Sequence, residues 1–448
     1  MKVIIRRIIL CCIIGFIIVF LVKHYDAKEY AVNNAQEFIN RVCKMSDVPA
    51  LSVAVWNGES EVFLNYTDGD EIIDENTLYE LASTTKAFTG LAILQLQKNS
   101  LLEFDTPVQQ YIPEFHPTYK GEEVQISIEQ LLNHTSGISS YALDYIPEEP
   151  YHEGGLSQSL AGLYNARLAY EPGAKHCYST VNYDLLALIL ERITGMEYED
   201  YVKTYVLHEV GMMDSFFRKD EVQENVTQGY KQAFLFFSCP YNAPVYYGNT
   251  AAGYLISNTS DLMKWMKNVK LLFDFEHFPI DSENSYFAGW NIYNDYVSHS
   301  GNNPNYSSQV YIDRNESLGV FALAAKNSPS ATLIADGLFR MYKGETVSIG
   351  LQIELFDWLD MLFSLMPLLT IYVILWLPID TKVKAVIRLV AGSVGITVFI
   401  VFPFISPISY RYCMVWFPVS LLFFVGVTLL ISIYLIMRSM VYLVKNKF

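Results

Sequence analysis

Carboxylates are scarce at both ends of this 448-residue chain. Of its 47 acidic residues, only Glu354, Asp357, Asp360 and Asp380 lie outside residues 24–350. The stretch between is strongly acidic. A surface of that sign repels nucleic acid and anionic headgroups, so nucleic acid is excluded as a partner. Paired cysteines are missing as well. Of the six, Cys11, Cys12 and Cys413 sit in apolar segments, and Cys43, Cys177 and Cys239 remain as an odd set without metal-ligand spacing. His208-Glu209 starts a zinc-type HExxH pattern, but Met212 stands where its second histidine belongs. No disulfide framework, metal or other cofactor is therefore expected. Internal repeats and low-complexity segments are also lacking.

Long charge-free runs are present instead. Lys2, Arg6 and Arg7 precede an apolar run from Ile8 to Val22, which reads as a signal peptide or a signal anchor over residues 1–23. Three later runs, 361–378, 389–409 and 414–437, are each long enough to cross the roughly 30 Å hydrocarbon core. Lys382, Lys384 and Arg388 mark the 379–388 connector, Arg438, Lys445 and Lys447 mark the tail, and Arg411 alone marks the other loop. The positive-inside rule then places 379–388 and the C-terminus in the cytoplasm and residues 24–350 outside. The expected organisation is an N-terminal leader (1–23), an extracytoplasmic domain (24–350) and a three-helix membrane domain (351–448).

Within the middle domain, "PALSVAVWNGESEVFLNY" alternates around Asn57-Gly58, a hairpin signal. Helical spacing follows at Phe88, Leu91, Leu94 and Leu96, and strand patterns return in "GWNIYNDYVSHSG" and "SSQVYIDRNESLGVFALAAKN". Strands at both ends with helices between predict an α+β fold: one antiparallel sheet formed by both termini, with a helical region inserted across it.

The chemistry starts at Ser83-Thr84-Thr85-Lys86. Three residues apart on a first helical turn, Ser83 and Lys86 share a face. A serine hydroxyl needs a base beside it, and a lysine serves once desolvation or a helix N-terminus lowers its pKa. Alone, such a tetrapeptide recurs by chance and fits an ordinary capped helix. Two companions strengthen it. Tyr178-Ser179-Thr180 precedes an apolar helix and can bring a phenol to the Ser/Lys pair for proton relay. His299-Ser300-Gly301 ends a strand-like segment, where a cationic or donor side chain and a glycine let a substrate lie along a strand edge.

In this order and spacing the three motifs resemble the serine β-lactamase and DD-peptidase superfamily, in its class C-like branch with tyrosine in the second motif. "LLNHTSGI", "AAGYLISNTSDL" and "NYSSQVYIDRNESLGVFALAAKN" read like that branch, and the likeness spans about 47–345. The resemblance implies that Ser83 forms an acyl-enzyme and that Lys86 and Tyr178 handle protons. It also implies that the backbone amides of Ser83 and Asn302 form an oxyanion hole. His299 stands where many relatives have lysine.

The chain is more closely similar to the colibactin-maturation peptidase and related prodrug-activating peptidases with three C-terminal spans. "VPALSV", "YELASTTKAFTGL", "PGAKHCYSTVNYDLL", "NNPNYSSQ" and "YRYCMVWFP" carry this likeness. Those enzymes remove an N-acyl-D-asparagine cap outside the cytoplasmic membrane. The substrate-binding set implied here is Thr180, Asn249, His299, Gly301 and Asn303. Asn303 matches the group's own asparagine, whereas Thr180 replaces its serine and Asn249 its histidine.

The expected activity is removal of an N-acyl-D-Asn or related D-amino-acid cap from a secreted nonribosomal-peptide-type prodrug. Two alternatives stay open: a cell-wall DD-carboxypeptidase, esterase or β-lactamase of the same fold, and a non-catalytic membrane sensor or binding protein. Expected partners are a small-molecule or peptide substrate and the lipid bilayer. An exporter delivering the substrate and a second copy in a homodimer are compatible with this reading. The expected location is the cytoplasmic membrane of a bacterium, multi-pass, with the catalytic domain outside.

Overall fold

The computed structural model describes the chain except for residues 1, 59, 149–154, 218–225, 235–236, 274–285, 353, 377–378, 380, 407 and 446–448. It divides into two compact units. One comprises Glu29–Tyr230 and Pro240–Ser348; the other comprises Met1–Lys28, Lys231–Cys239 and Ile349–Phe448.

The first unit is built on a seven-stranded sheet flanked by helices. Helix α1 (Ala35–Ser46) precedes β1 (Ala50–Asn57) and β2 (Ser60–Thr67). Helices α2 (Thr85–Lys98), α3 (Val181–Thr194) and α4 (Thr259–Leu272) belong to the inserted region. The chain then returns to the sheet as β3 (Tyr286–Phe287), β4 (Trp290–Ile292), β5 (Tyr296–Asn303), β6 (Tyr306–Asp313) and β7 (Leu318–Ala324), followed by α5 (Ser330–Tyr342). The strand order is β3-β4-β5-β6-β7-β1-β2, and every pairing is antiparallel. Strand β7 pairs with β1 from Leu318↔Asn57 to Ala324↔Leu51, which joins the early hairpin to the late meander. The expected hairpin is present, with Gly58 at φ +62°, a conformation glycine adopts without penalty.

β7 is buried along its whole length and β1 over six of its eight residues, because both lie mid-sheet with helices on either face. Helices α1 and α5 cover one face, and α4 covers the other. On that second side Phe88 of α2 stacks on Trp265 of α4 with ring centroids 4.1 Å apart. Both rings are fully buried.

Two glycines bring the β3–β4 turn onto α2. A Cβ on Gly289, which has φ +87°, would sit 2.5 Å from the backbone of Lys86 and Ala87. A Cβ on Gly90 would sit 2.1 Å from the Ala288 carbonyl. The first turns of α2 are therefore clamped backbone to backbone.

In the second unit, an N-terminal helix covers Lys2–Lys23. The C-terminal part holds α6 (Leu355–Trp376), α7 (Lys382–Ile405), α8 (Tyr410–Trp416) and α9 (Ser420–Lys445). Among the described residues, two stretches, Lys382–Phe402 and Ser420–Lys445, are helical, long and apolar enough to cross a membrane. The expected 361–378 run is helical in α6 up to Trp376, and its end at 377–378 lies outside the described residues.

Two sequence boundaries shift. The basic connector 379–388 is largely helix, because Thr381 caps α7 through its hydroxyl and Lys382 already lies inside it. The expected 414–437 span is broken at Phe417-Pro418, since proline lacks the N–H that would continue α8, and α9 starts afresh at Ser420. Close helix packing comes from small residues: a Cβ on Gly392 would lie 2.7 Å from the Ser432 carbonyl, and one on Gly395 2.4 Å from the Ser432 hydroxyl.

The short segment Lys231–Cys239 joins this unit, which the sequence did not foretell. Lys231 Nζ donates to the carbonyls of Met414 (2.7 Å) and Val415 (2.8 Å), acceptors left open by the end of α8. The amides of Val419 and Ser420 donate back to Gln232 and Ala233. The Gln232 amide reaches Asp357 and buried Asp360, and Phe234 packs edge-on against Phe423. The Lys231 amine thus finishes a helix.

Candidate active site

Ser83 sits in a short turn, Ala82–Thr84, that leads into α2. The residue before it, Ala82, has φ +50°, a strained value for a side chain with a Cβ. The turn is tied down from both sides. Thr84 and Ser308 hydroxyls both bond the Leu81 carbonyl, and they lie 3.1 Å from each other. Ser83 itself is half-buried.

One helical turn on, Lys86 is fully buried. Its Nζ lies 3.1 Å from Ser83 Oγ, 3.1 Å from Thr180 Oγ1 and 2.8 Å from the Ala252 carbonyl. Burial brings the Lys86 amine down to about 7, against the opposing pull of Asp184. An amine titrating near neutrality and in hydrogen-bond reach of a hydroxyl is fit to act as its general base.

Tyr178 comes from the loop before α3. Its hydroxyl is buried and faces Ser83 without completing a hydrogen bond, and its ring centroid lies 5.1 Å from Lys86 Nζ. Burial raises its pKa, so the phenol stays protonated and can donate. The "HTSG" segment holds this loop. His134 Nδ1 lies 3.0 Å from Asn182 Nδ2 and 3.4 Å from the Ser179 amide, Ser136 bonds Asn182, and the His134 carbonyl takes the Cys177 amide. His134 has φ +57°, and its ring lies 4.2 Å from that of Tyr178.

Strand β5 supplies the far wall. β4 pairs with it only at Val297 and Ser298, so its outer edge from His299 to Asn303 carries no strand partner among the described residues. Gly301 lets that edge approach the nucleophile: a Cβ there would lie 3.0 Å from the Ser83 nitrogen and 2.4 Å from the Leu81 carbonyl. Asn302 follows on β5 with its side chain exposed, which leaves its backbone to the site.

Of the cationic or donor roles expected of His299, the structure shows a donor and no cation. It is buried, its Nδ1 lies 2.6 Å from the Ser300 carbonyl, and its Nε2 lies 2.9 Å from the Tyr286 hydroxyl. Nδ1–H therefore donates, and Nε2 accepts from the phenol. Burial, with Lys86 nearby, lowers its pKa to about 3, so the ring is neutral at physiological pH.

A cluster of buried polar side chains lies beside these groups. Asn303 Nδ2 donates to Glu80 Oε2 (2.6 Å) and to the Gly253 carbonyl (3.0 Å). Thr180 Oγ1 donates to Asn249 Oδ1 (3.1 Å). Asn303 Oδ1 and Asn249 Nδ2 converge on Gly253, at 3.5 and 3.6 Å from the point a Cβ would occupy. Glu80 was missed from sequence: it lies three residues before Ser83 in a two-residue strand, and no motif marks it. Its burial is the signal, and sequence does not show burial. The neighbouring Asn305 serves the fold, bonding the Tyr241 carbonyl.

The structure thus brings together Ser83, Lys86, Tyr178, Thr180, Asn249, His299, Gly301 and Asn303. Among the described residues no cluster of three or more His, Cys, Asp or Glu is arranged to hold a metal.

Comparison with known proteins agrees with this geometry. A family described as beta-lactamase matches residues 36–341. The protein flp of Staphylococcus aureus (strain N315) is 31% identical over 327 residues, covering 66% of this chain and 64% of that protein. The chain therefore spans just under two-thirds of this relative's length. Among solved structures, the octameric penicillin-binding protein homologue from Pyrococcus abyssi superposes with a TM-score of 0.59 at 24% identity, covering 70% of this chain and 78% of the other. A D-stereospecific amidohydrolase from Streptomyces sp. superposes at 0.56 and 19% identity, covering 67% and 97%. A half-buried serine beside a buried amine and a buried phenol, within a fold shared with these proteins, leads to one conclusion: the chain belongs to the beta-lactamase family of serine hydrolases.

Proposed function

We propose that this protein is a membrane-held serine amidase that removes an N-acyl-D-asparagine, or a related D-amino-acid cap, from a secreted nonribosomal-peptide-type prodrug. Ser83 Oγ adds to the carbonyl carbon of the capping residue while its proton passes to Lys86 Nζ. The backbone amides of Ser83 and Asn302 receive the oxyanion. As the C–N bond breaks, the proton moves through Tyr178 to the leaving nitrogen. Water then hydrolyses the ester, releasing the N-acyl amino acid and restoring Ser83.

The observation that carries this reading is the polar cluster around Gly253. A carboxamide needs an acceptor for its N–H and a donor for its carbonyl. Glu80 and the Gly253 carbonyl fix the Asn303 amide with Oδ1 as acceptor, and the Thr180 hydroxyl fixes Asn249 with Nδ2 as donor. Such a site penalises a side chain that leaves these groups unpaired. Gly301 and Asn302 supply the strand edge along which the peptide lies. Within this reading the three C-terminal runs act as membrane spans, the hydrolase unit lies outside a bacterial cytoplasmic membrane, and an exporter delivers the substrate.

The carboxypeptidase and β-lactamase alternatives call for recognition of a substrate carboxylate, and His299 supplies no cation for one. The test is hydrolysis of matched amides of acyl-D-Asn, acyl-L-Asn, acyl-D-Ala and D-Ala-D-Ala by the full-length protein in detergent. Release of acyl-D-Asn, abolished in Ser83→Ala, is expected. Turnover of D-Ala-D-Ala with no cleavage of any D-Asn amide would sink the proposal, and failure of a serine-directed label to attach at Ser83 would favour the sensor alternative.

A further inference from the structure

Asp184 is a carboxyl group buried in the same site without an evident structural purpose. It is fully inaccessible, and neither oxygen completes a hydrogen bond with protein. Burying a carboxylate in that condition is costly, and proteins rarely keep one unless it does something. It lies in the first turn of α3, four residues after Thr180, so the two side chains share a helix face. Thr180 is one of the three groups that hold Lys86 Nζ. Another is the carbonyl of Ala252, whose own amide approaches the Asp184 carboxyl. Asp184 is therefore placed beneath the amine that takes the nucleophile's proton.

We propose that Asp184 is the positioning residue that sets the basicity of Lys86, as the buried counter-charge to the ammonium formed when Ser83 is deprotonated. The proposal rests on the serine-hydrolase reading of Ser83 and Lys86, and it is independent of the D-asparagine preference. When Ser83 Oγ bonds to carbon, its proton turns the Lys86 amine into an ammonium in a site with little solvent. The groups facing this site from the surrounding elements are Tyr178, Tyr183 and Tyr198, His134, and Tyr286 with His299 across the sheet edge. Burial keeps the phenols protonated and the two imidazoles neutral, so none of them balances an ammonium. Burial raises the Asp184 carboxyl well above its ordinary value, with Lys86 and the Ala252 amide opposing the rise, and among these groups it is the one whose charge favours an ammonium at Lys86. When the leaving nitrogen takes the proton, Lys86 returns to neutral.

The experiment reads the rate at which a fluorophosphonate labels Ser83 in the full-length protein, as a function of pH. The wild-type rate is expected to rise along a limb centred near neutrality as Lys86 loses its proton. In Asp184→Asn the limb is expected to move to lower pH by about one unit, as for loss of a neighbouring opposite charge, and the plateau to fall because Lys86 is then a weaker base. Asp184→Ala is measured in parallel, so that one variant that does not fold leaves the other to report. A limb that stays in place in a folded variant overturns the proposal, because Asp184 then carries no charge that Lys86 feels. Wild-type protein that is not labelled at any pH overturns the proposal together with the hydrolase reading. Labelling without cleavage of acyl-D-Asn overturns only the substrate assignment and supports this inference if the limb moves.

Discussion

Glu80 and Asn303 form one charge-assisted hydrogen bond at 2.6 Å, and it decides which way the Asn303 amide points. Glu80→Gln replaces the acceptor-only carboxylate by an amide that can present either its oxygen or its NH2, so the Asn303 amide is free to flip. Hydrogen bonds to charged groups contribute about 1.5–3 kcal/mol, so kcat/KM for an acyl-D-Asn amide is expected to fall by about 10- to 100-fold. Steady-state kinetics on matched D-Asn and D-Ala amides check this, and the D-Ala amide should be far less affected. His299 makes a separate prediction. Its folded pKa is about 3, below the unfolded value near 6.5, so only the unfolded chain binds the proton between those limits. Stability is therefore expected to decline as pH falls from 6.5 toward 3, by at most about 1.4 kcal/mol per pH unit from this residue, and His134 acts in the same direction. Denaturant titrations of wild type and His299→Asn in this window should show a shallower acid decline in the variant. At this scale the sequence read well where chemistry depends on local spacing. Ser83 and Lys86 meet because three residues on a helix force them to. Glu80, Asp184 and the neutrality of His299 were illegible, because each follows from burial among residues distant in sequence.

Strand β5 and helix α2 meet through residues that cannot grow. Gly301 touches the turn carrying Ser83, and Gly289 touches the backbone of Lys86. Gly301→Ala places a methyl against the Leu81 carbonyl and forces β5 away from the nucleophile. On the proposed mechanism, displacing the Ser83 and Asn302 amides is expected to lower the rate of acylation by about 100-fold or more. Overpacking of this kind costs typically about 1–3 kcal/mol, so thermal unfolding should also come several degrees earlier. Fluorophosphonate labelling and a melting curve measure the two effects. Alternation in "SVAVWN" and "SSQVYID" made β1 and β6 readable, and Asn57-Gly58 marked their hairpin neighbour. The order of strands was readable only as far as both termini sharing a sheet. The boundary errors at 379–388 and 414–437 came from capping at Thr381 and from Pro418, local signals that hydropathy averaging smooths away.

At the scale of the whole molecule, the second unit takes in Lys231–Cys239 as well as Ile349–Phe448, an excursion that the sequence reading lacked. Lys231–Cys239 leaves the hydrolase unit, caps the α8 end through Lys231, and returns. Nothing in its composition announces this, since an amine bonding two carbonyls leaves no sequence pattern. A chain ending at Ser348 strips that segment of its partners and exposes Phe234. Such a truncation is expected to be nicked by proteases between 231 and 239 and to self-associate, whereas Ser83 labelling survives in the fraction that stays folded. Limited proteolysis with mass spectrometry and size-exclusion chromatography test both expectations.

That excursion also bears on release. A domain joined to an anchor by one linker is shed by one cut. Here the polypeptide passes between the two units near residue 28, on each side of 231–239, and near 348. Removal of the first helix by a signal peptidase would leave three of these four passages intact, and a further cut at 348 would still leave a bolt fastened by Lys231. The hydrolase unit is stitched to the helical unit by four passages of chain, and only several independent cleavages would set it free.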